Sequence, residues 1–189
     1  MGLKVITAPE RYEIEPDDIC CFLAGGITEC EDWQKHVINY LKCCYCSIDG
    51  TNLVIFNPRR PKGAEPSGPI AIEEQIEWEF NYLNACDIFS MYFPGGDHKR
   101  EICMYELGRQ LAQGGGVLRS VISIEPNYKR TLDVQIQSKL VLGVDIVKLD
   151  MNPALHGKDI YDRYKWMCRN NNGYVYRGGK PRYAEYRHR

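Results

Sequence analysis

The chain has 189 residues, of which 44% are hydrophobic and 26% are charged. This composition is typical of a globular protein with a sizeable core, and the length predicts one domain with a C-terminal extension. The net charge of −1 argues against a general attraction to polyanions. No apolar run is long enough to span a bilayer, and the amino terminus lacks the layout of a signal peptide.

The nine cysteines are an odd number, so they cannot all pair within one chain. Adjacent cysteine couples and cysteines on apolar stretches are typical of reduced thiols, which predicts a cytoplasmic protein. Cys43, Cys44 and Cys46 lie near His36, but their spacing does not match the paired C-x-x-C knuckles of a zinc site. We therefore expect no metal.

Short apolar runs alternate with helical patterns along the chain. A β-like run at 2–8 precedes five runs that are predicted as buried strands, at 19–24, 53–56, 87–93, 117–124 and 144–149. The alternation predicts an α/β fold with a doubly wound, mainly parallel five-stranded sheet and helices on both faces, of the flavodoxin or Rossmann type. Residues 1–150 form the predicted domain, and 151–189 a C-terminal helix with a basic, Tyr-rich extension.

Helices are predicted between these strands. Thr28 is the predicted N-cap of the first helix, with Glu31 at the capping-box position. A third helix carries Glu106 and stops at the glycines 114–116, and a fourth covers 132–142. The residues predicted to face inward from the second helix are Ile72, Ile76, Phe80 and Leu83.

Three segments converge on the carboxyl edge of the predicted sheet: Gly25-Gly26, residues 57–62 of the long loop 57–69, and the helix of Glu106. Ligands of open α/β folds bind at this edge, and a loop as long as 57–69 is more often functional than idle. Near the start of a helix, Glu106 would feel the positive end of the dipole, which favours an ionised nucleophile. The alternative is a surface ion pair between Glu106 and Arg109.

Three motifs follow one another between residues 19 and 125. Phe22-Leu23-Ala24-Gly25-Gly26-Ile27 ends a strand, Glu79 precedes Asp87 at the start of the next, and Tyr105-Glu106-Leu107-Gly108-Arg109 follows a Gly-bearing loop. In this order the motifs resemble the nucleoside 2-deoxyribosyltransferase family and the related deoxynucleoside monophosphate N-glycosidases, of which the chain looks like a divergent member.

The resemblance implies that Glu106 is a nucleophile that forms a covalent glycosyl-enzyme, by the logic of retaining glycosidases. It also implies a homo-oligomer, because the family completes its active sites at subunit contacts, and no metal or organic cofactor. Glu79 would hold a sugar hydroxyl, although a solvated helix face is an equal alternative. Asp97 is implied as the acid that protonates the leaving base, and Ile27 and Asp87 as substrate-binding residues, with a local backbone cap as the alternative for Asp87.

Tyr105 precedes Glu106 and is assigned to catalysis as its hydrogen-bond partner, with ordinary helix packing as the alternative. Gly25 and Gly26 are assigned to substrate binding because they let a substrate approach the backbone closely, and a tight strand-to-helix turn is the compatible alternative.

Cations lie on two of the converging loops. Arg59 and Arg60 with Lys62 follow one strand, and His98, Lys99 and Arg100 precede the helix of Glu106; we assign Arg59 and Arg60 to the substrate. Arginines at such an edge favour a phosphate, so that a nucleotide is an alternative to a free nucleoside. The alternative is that these cations are solvated charges on the loops and bind no ligand.

Two other functions compete with glycosidic cleavage or exchange. The first is a protein that binds a nucleotide or nucleotide-sugar without turnover. The second is association with nucleic acid through the segment 163–189, which has eight Lys or Arg against one acid and is interleaved with aromatic residues. We favour a tail that wraps the surface or contacts a subunit over one that binds nucleic acid, because the whole chain is near neutral.

Overall fold

A parallel sheet of six strands forms the centre of the protein in a computed structural model that describes residues 2–113, 116–150 and 152–170. The strands lie in the order β1-β3-β2-β4-β5-β6, and each neighbouring pair is parallel. They are β1 (Leu3–Thr7), β2 (Asp18–Gly25), β3 (Asn52–Asn57), β4 (Ile88–Phe93), β5 (Ser120–Ile124) and β6 (Val147–Leu149). The α/β class is confirmed, with one strand more than the five predicted, because the β-like run at 2–8 pairs along β3.

Helices cover both faces of the sheet. The helices are α1 (Trp33–Cys44), α2 (Pro69–Ala85), α3 (Glu101–Ala112), α4 (Gly116–Arg119), α5 (Thr131–Leu142) and α6 (Pro153–Arg169). Residues of α2, α3 and α5 pack in one hydrophobic cluster with the sheet, and residues of α1 and α6 pack in a second cluster on the other face. This arrangement is the predicted doubly wound architecture.

The strand order reverses between β2 and β4. The chain leaves β2 toward β3 on one side and then crosses over to β4 on the other side. Such a switch point opens a crevice outside the carboxyl ends of the two strands. At the end of β2, Gly25 pairs with Tyr92, and a Cβ at this position would collide with the carbonyl oxygen of Tyr92. The glycine therefore lets the two chains pass closely at the crevice.

Two local predictions about helices are wrong. The first helix begins at Trp33 rather than after Thr28, because the side chain of Asp32 caps it by accepting from the backbone N–H of Lys35 at 3.0 Å. The inward face of α2 is rotated from the predicted one. Its buried residues are Gln75, Trp78, Tyr82 and Leu83, whereas Ile72, Ile76 and Phe80 are exposed.

The inward face of α2 follows from its aromatic residues. Tyr82 stacks on Phe56 of β3 with ring centroids 4.0 Å apart, and its hydroxyl donates to the carbonyl of Tyr12 at 3.0 Å. The indole N–H of Trp78 donates to the carbonyl of Glu10 at 2.7 Å. Burying Trp78 and Tyr82 is more favourable than burying the isoleucines, because each ring buries a large apolar area and its polar atom also finds a hydrogen-bond partner.

The helix α6 belongs to the same core as the sheet. Ile160, Tyr164 and Cys168 are buried in the cluster that contains α1, so the predicted boundary at residue 150 does not separate this helix from the domain. The tyrosines 174, 176, 183 and 186 of the predicted basic extension lie outside the described residues. No helix in the part of the chain that the structure describes is long and apolar enough to cross a membrane.

Candidate active site

A cavity of about 330 Å³ opens at the carboxyl end of β2. Its walls come from the loop after β2, from the start of the loop after β3, from α2 and from the first turns of α3 with the loop before it. Two carboxylates, Glu79 and Glu106, line it together with Arg100. The crevice expected at the switch point is therefore a cavity whose lining includes charged side chains, and ligands of open α/β folds bind at this place.

Glu106 faces this cavity from the second turn of α3. The pKa of its carboxyl is raised to about 7, first by burial and second by the Glu79 carboxylate, whereas Arg109 acts in the opposite direction. The expectation that the helix dipole would favour the ionised form is wrong, because Glu106 lies beyond the first turn, where the dipole acts most, and burial dominates. Arg109 lies with its guanidinium 4.6 Å from the centre of the Phe80 ring.

Glu79 is held by a short chain of hydrogen bonds. The amide nitrogen of Gln75 donates to Glu79 Oε1 at 2.7 Å and to the carbonyl of Pro58 at 3.0 Å. Arg60 Nε donates to Gln75 Oε1 at 2.6 Å. Burial raises the pKa of Glu79, while the bond from Gln75 and the charge of Arg60 act against it. Glu79 is thus a positioned carboxylate and not a solvated helix-face acid.

Gln75 is a positioning residue that the sequence prediction missed. Arg60, which was predicted to bind substrate, does not line the cavity and donates to Gln75 instead. A polar residue one turn before Glu79 on the same helix face was the available signal. That signal was hidden because the helix face assigned to the interior was the wrong one. The hydrogen bond to Pro58 also ties the loop after β3 to α2.

Arg59 braces the loop after β2 instead of facing the cavity. Its Nη2 donates to the carbonyls of Ile27 at 2.9 Å and Glu31 at 3.2 Å, and its Nε lies 3.7 Å from a carboxylate oxygen of Asp32. The indole N–H of Trp33 donates to the carbonyl of Gly26 at 2.8 Å. These contacts fix the backbone of Gly25, Gly26 and Ile27 at the cavity wall.

Arg100 lies at the N-cap of α3 in a left-handed backbone conformation, with φ 55° and ψ 48°. Only 9% of the residue is exposed. Its Nη1 donates to the carbonyl of Thr28 at 2.6 Å, and its guanidinium packs on Gly26, where a Cβ would lie 2.7 Å from Cζ. The sequence marked 98–100 as cationic but did not assign Arg100 to the site, because its burial depends on a loop distant in sequence.

Residues 19–126 match a family model described as "Nucleoside 2-deoxyribosyltransferase like". The match runs from β2 to just beyond β5 and contains the crevice, Glu79 and Glu106. It covers more than half of the 189 residues. The chain belongs to this family. No curated protein matches the chain.

Three other predicted site residues, Asp97, Tyr105 and Asp87, do not line the cavity. Asp97 is exposed, and its carboxylate lies 3.6 Å from Lys129 Nζ. Tyr105 is 66% exposed on the outer side of α3, with Arg109 6.0 Å from its ring centre. Asp87 lies at the opposite edge of the sheet, before β4, where its Oδ2 accepts from the backbone N–H of Cys20 at 2.9 Å.

The physical reasons for these placements are local. Successive helix residues point about 100° apart, so Tyr105 and Glu106 cannot both face the cavity. The loop of Asp97 folds toward the Tyr128 region, where the N–H of Gly96 donates to the carbonyl of Asn127 at 3.4 Å. Asp87 caps a neighbouring strand, as in the alternative weighed for it.

Metal-binding side chains are not grouped in the described parts of the chain. Within residues 2–113, 116–150 and 152–170, no set of three His, Cys, Asp or Glu is placed to hold an ion. Cys43, Cys44 and Cys46 are exposed thiols at the end of α1 and just beyond it. The expectation that the reaction needs no cofactor stays a prediction.

Proposed function

We propose that this member of the family cleaves or exchanges the N-glycosidic bond of a 2-deoxynucleoside or nucleotide through a covalent intermediate on Glu106. The observation that carries the proposal is the pair of carboxylates, Glu79 and Glu106, on one cavity at the switch point of the sheet. Enzymes that cleave glycosidic bonds commonly use two carboxylates in a shared, partly desolvated site.

The chemistry follows from the two environments. Ionised Glu106 attacks the anomeric carbon while the bond to the base breaks and its electron pair goes to the base nitrogen. Burial leaves the carboxylate poorly hydrated, so the ionised form is a stronger nucleophile than a solvated carboxylate. Glu79, held by Gln75, accepts a hydrogen bond from a sugar hydroxyl. Water or a second base then attacks the same carbon and releases Glu106.

Two alternatives remain distinct from this proposal. Binding of a nucleotide without turnover would use the same cavity and is separated by the assay below. For association with nucleic acid, Tyr164 contributes little, since it is buried and its hydroxyl donates to the carbonyl of Thr51 at 3.0 Å. A side chain committed to the core does not stack on bases.

The decisive experiment is chromatography of deoxynucleosides and their monophosphates after incubation with the protein, with and without a free base. We expect base release or exchange that falls about 1,000-fold or more in Glu106→Gln. The matched control is Glu77→Gln, because Glu77 is an exposed acid on α2 and does not line the cavity. Ligand-dependent thermal shifts without any turnover in the wild-type protein would favour the binding function instead.

We further propose a homo-oligomer that forms through the outer face of α2 and α3. Ile70, Ile76, Ile102 and Tyr105 are between 59% and 84% exposed on these two helices, which is an unusual density of apolar side chains. Ile102 also lines the cavity, so a second copy on this face would lie at its mouth.

The substitution Ile76→Glu places a charge in that apolar face. We expect it to shift the protein toward the monomer in sedimentation velocity, because an unpaired charge is costly in an interface. Leu155→Glu, an equal change on the exposed surface of α6, is the control. A protein that sediments as a monomer before any substitution would refute this part of the proposal.

A further inference from the structure

Gln75 joins three groups through its single side-chain amide. Arg60 Nε donates to Gln75 Oε1 at 2.6 Å. Gln75 Nε2 in turn donates to the carbonyl of Pro58 at 3.0 Å and to Glu79 Oε1 at 2.7 Å. Gln75 is only 8% exposed and the Arg60 side chain only 12%, so these bonds lie largely out of water. Arg60, Gln75 and Glu79 thus form a continuous bridge, the amide bridge, from the loop after β3 to the cavity.

The two outer partners determine which way the Gln75 amide points. A guanidinium can only donate hydrogen bonds, so the atom that faces Arg60 is the amide oxygen. A backbone carbonyl can only accept, so the atom that faces Pro58 is the amide nitrogen. The orientation of an amide is assigned from its partners, and here both partners require the same one. The second N–H of Gln75 is therefore directed at Glu79, which must accept it.

The bond from Gln75 favours the ionised form of Glu79. A donated N–H stabilises a carboxylate more than a neutral carboxylic acid, because charge-assisted hydrogen bonds are stronger than neutral ones. Burial raises the pKa of Glu79, whereas the bond from Gln75 and the positive charge of Arg60 act in the opposite direction. The amide bridge therefore offsets part of the cost of burying a negative charge at Glu79.

Glu106 lines the same cavity without such a donor. Among the described residues, only Gln75 donates a side-chain hydrogen bond to either carboxylate of the pair. Arg109 lies with its guanidinium 4.6 Å from the centre of the Phe80 ring. Burial first and the Glu79 carboxylate second raise the pKa of Glu106 to about 7. Because two carboxylates in one site do not both ionise easily, the last proton stays on the carboxylate that lacks a donor.

Other titratable groups surround the pair on three elements. On α3, Arg109 acts to lower the pKa of Glu106, and burial raises the pKa of the Cys103 thiol to about 12, so this thiol stays neutral. On α2, Glu74 Oε2 lies 4.0 Å from Arg60 Nη2. The remaining charged or titratable residues of the lining, from the loop before α3 and the first residue of α3, are His98, Lys99, Arg100 and Glu101. Within the described residues, the charged groups among these act on the pair through charge and not through hydrogen bonds.

We infer that Arg60 and Gln75 are positioning residues that decide where the proton of the carboxylate pair resides. Acting through Gln75, Arg60 keeps Glu79 ionised as a hydrogen-bond acceptor, and Glu106 becomes the carboxylate that holds and releases the last proton. Neither Arg60 nor Gln75 lines the cavity, so both act through Glu79. The part that the pair plays in glycosidic cleavage rests on the proposed function, whereas the placement of the proton does not.

The test is a carboxyl titration by NMR on the full chain, labelled with glutamate that carries ¹³C at Cδ. The two signals of the pair are assigned from the spectra of Glu79→Gln and Glu106→Gln, each of which lacks one of them. In the wild-type protein we expect the Glu79 signal to change at lower pH than the Glu106 signal, as for interacting sites in different environments. The reverse order would overturn the inference.

Gln75→Met removes the donor and keeps an unbranched side chain of similar size. We expect the affinity of Glu79 for its proton to rise about 10-fold, because a hydrogen bond to the ionised form is lost. Gln75→Glu keeps the acceptor for Arg60 but has no N–H for Glu79 when ionised, so it should shift the Glu79 titration in the same direction. Circular dichroism melting shows which variants are folded. An unchanged Glu79 titration in a folded variant of either kind would contradict the assignment of Gln75.

A double-mutant cycle tests whether Arg60 acts through Gln75. Arg60→Met alone should raise the proton affinity of Glu79 about 3-fold, whereas Arg60→Lys, which also only donates, should behave nearly as the wild type. In the Gln75→Met background, Arg60→Met should change this affinity by less than about 1.5-fold. Fully additive effects would mean that Arg60 acts by its charge alone and would overturn its role. The control, Lys62→Met, removes an exposed cation from the same loop and should leave both titrations unchanged.

The outcomes distinguish the amide bridge from the proposed function. The expected order of titration, altered by the Gln75 variants, could occur in a protein that releases or exchanges no base in the chromatographic assay. That result would support the amide bridge and refute the proposed function. Base release that disappears in Glu106→Gln, together with a Glu79 titration that the Gln75 variants leave unchanged, would overturn the inference and leave the proposed function standing.

Discussion

Two buried polar clusters lie on opposite sides of the sheet, and they differ in how fully their atoms are paired. On the face covered by α6, His156 Nε2 lies 2.7 Å from Ser90 Oγ, and His156 Nδ1 lies 2.8 Å from Ser123 Oγ. At the cavity, Arg100 has two buried side-chain nitrogens without partners among the described residues, and no side-chain hydrogen bond joins the Glu106 carboxylate to those residues. A fully paired cluster stabilises the fold, whereas an incompletely paired one is ready for a ligand.

The protonation behaviour of the two clusters reinforces this difference. Burial lowers the pKa of His156 to about 3, and Lys148 contributes in the same direction. The imidazole is therefore neutral throughout the physiological range, with one nitrogen donating and the other accepting. The pKa of Glu106 is instead raised to about 7, where its proton exchanges under working conditions. Only the cavity cluster is tuned for proton or nucleophilic chemistry.

The largest effect on stability should come from His156→Ala. The substitution leaves Ser90 and Ser123 unpaired in the interior and opens a cavity, so we expect a loss of about 3 kcal/mol in the free energy of unfolding. Urea unfolding measures this loss. His36→Ala, at an exposed position of α1, should change the same quantity by less than about 0.5 kcal/mol.

His156→Ala also tests whether the two clusters differ in function. If the two clusters are functionally separate, the folded fraction of the variant should keep its affinity for ligands of the cavity. Loss of turnover without loss of stability would mean that the Ser90–His156–Ser123 cluster takes part in the reaction. That result would remove the distinction between paired and unpaired clusters in this protein.

The sheet could be predicted from the sequence because its signals are local. The apolar runs at 19–24, 53–56 and 87–93 correspond to β2, β3 and β4, which are buried on both faces. The inward face of α2 could not be predicted from periodicity alone. Isoleucines and a phenylalanine on one side competed with Trp78 and Tyr82 on the other, and the hydrogen bonds that decide between them reach Glu10 and Tyr12.

The site divides in the same way. Glu79 and Glu106 lie in motifs that resemble those of a known family, and both side chains line one cavity. Gln75 and Arg100 depend on carbonyl partners in distant loops, those of Pro58 and Thr28, and no sequence spacing indicates such contacts. Asp97 and Tyr105 were inferred from sequence order near Glu106. Closeness in sequence does not determine which way a side chain points on a helix or a loop.

A smaller effect is expected in the pH dependence of the unfolding free energy. The carboxyl of Glu106 has an ordinary pKa of 4.5 and a folded-state pKa of about 7. Between these values the folded protein keeps a proton that the unfolded chain has released, so stability falls as the pH rises through this window. Glu106→Gln removes the effect. We expect the variant to exceed the wild-type protein in unfolding free energy by roughly 1 to 3 kcal/mol at pH 8 and to match it near pH 4.

Urea unfolding of both proteins across pH 4 to 8 measures this difference, with Glu77→Gln as the control that should follow the wild-type curve. The same titration predicts that kcat/KM rises with pH through about 7, as the nucleophile ionises. Parallel stability curves for the wild-type protein and Glu106→Gln would show that Glu106 titrates as an ordinary exposed acid. The cavity would then lack the desolvated carboxylate that distinguishes it from the paired cluster around His156. A buried carboxylate that ionises at working pH lowers the stability of the fold, which is the usual cost of an active site.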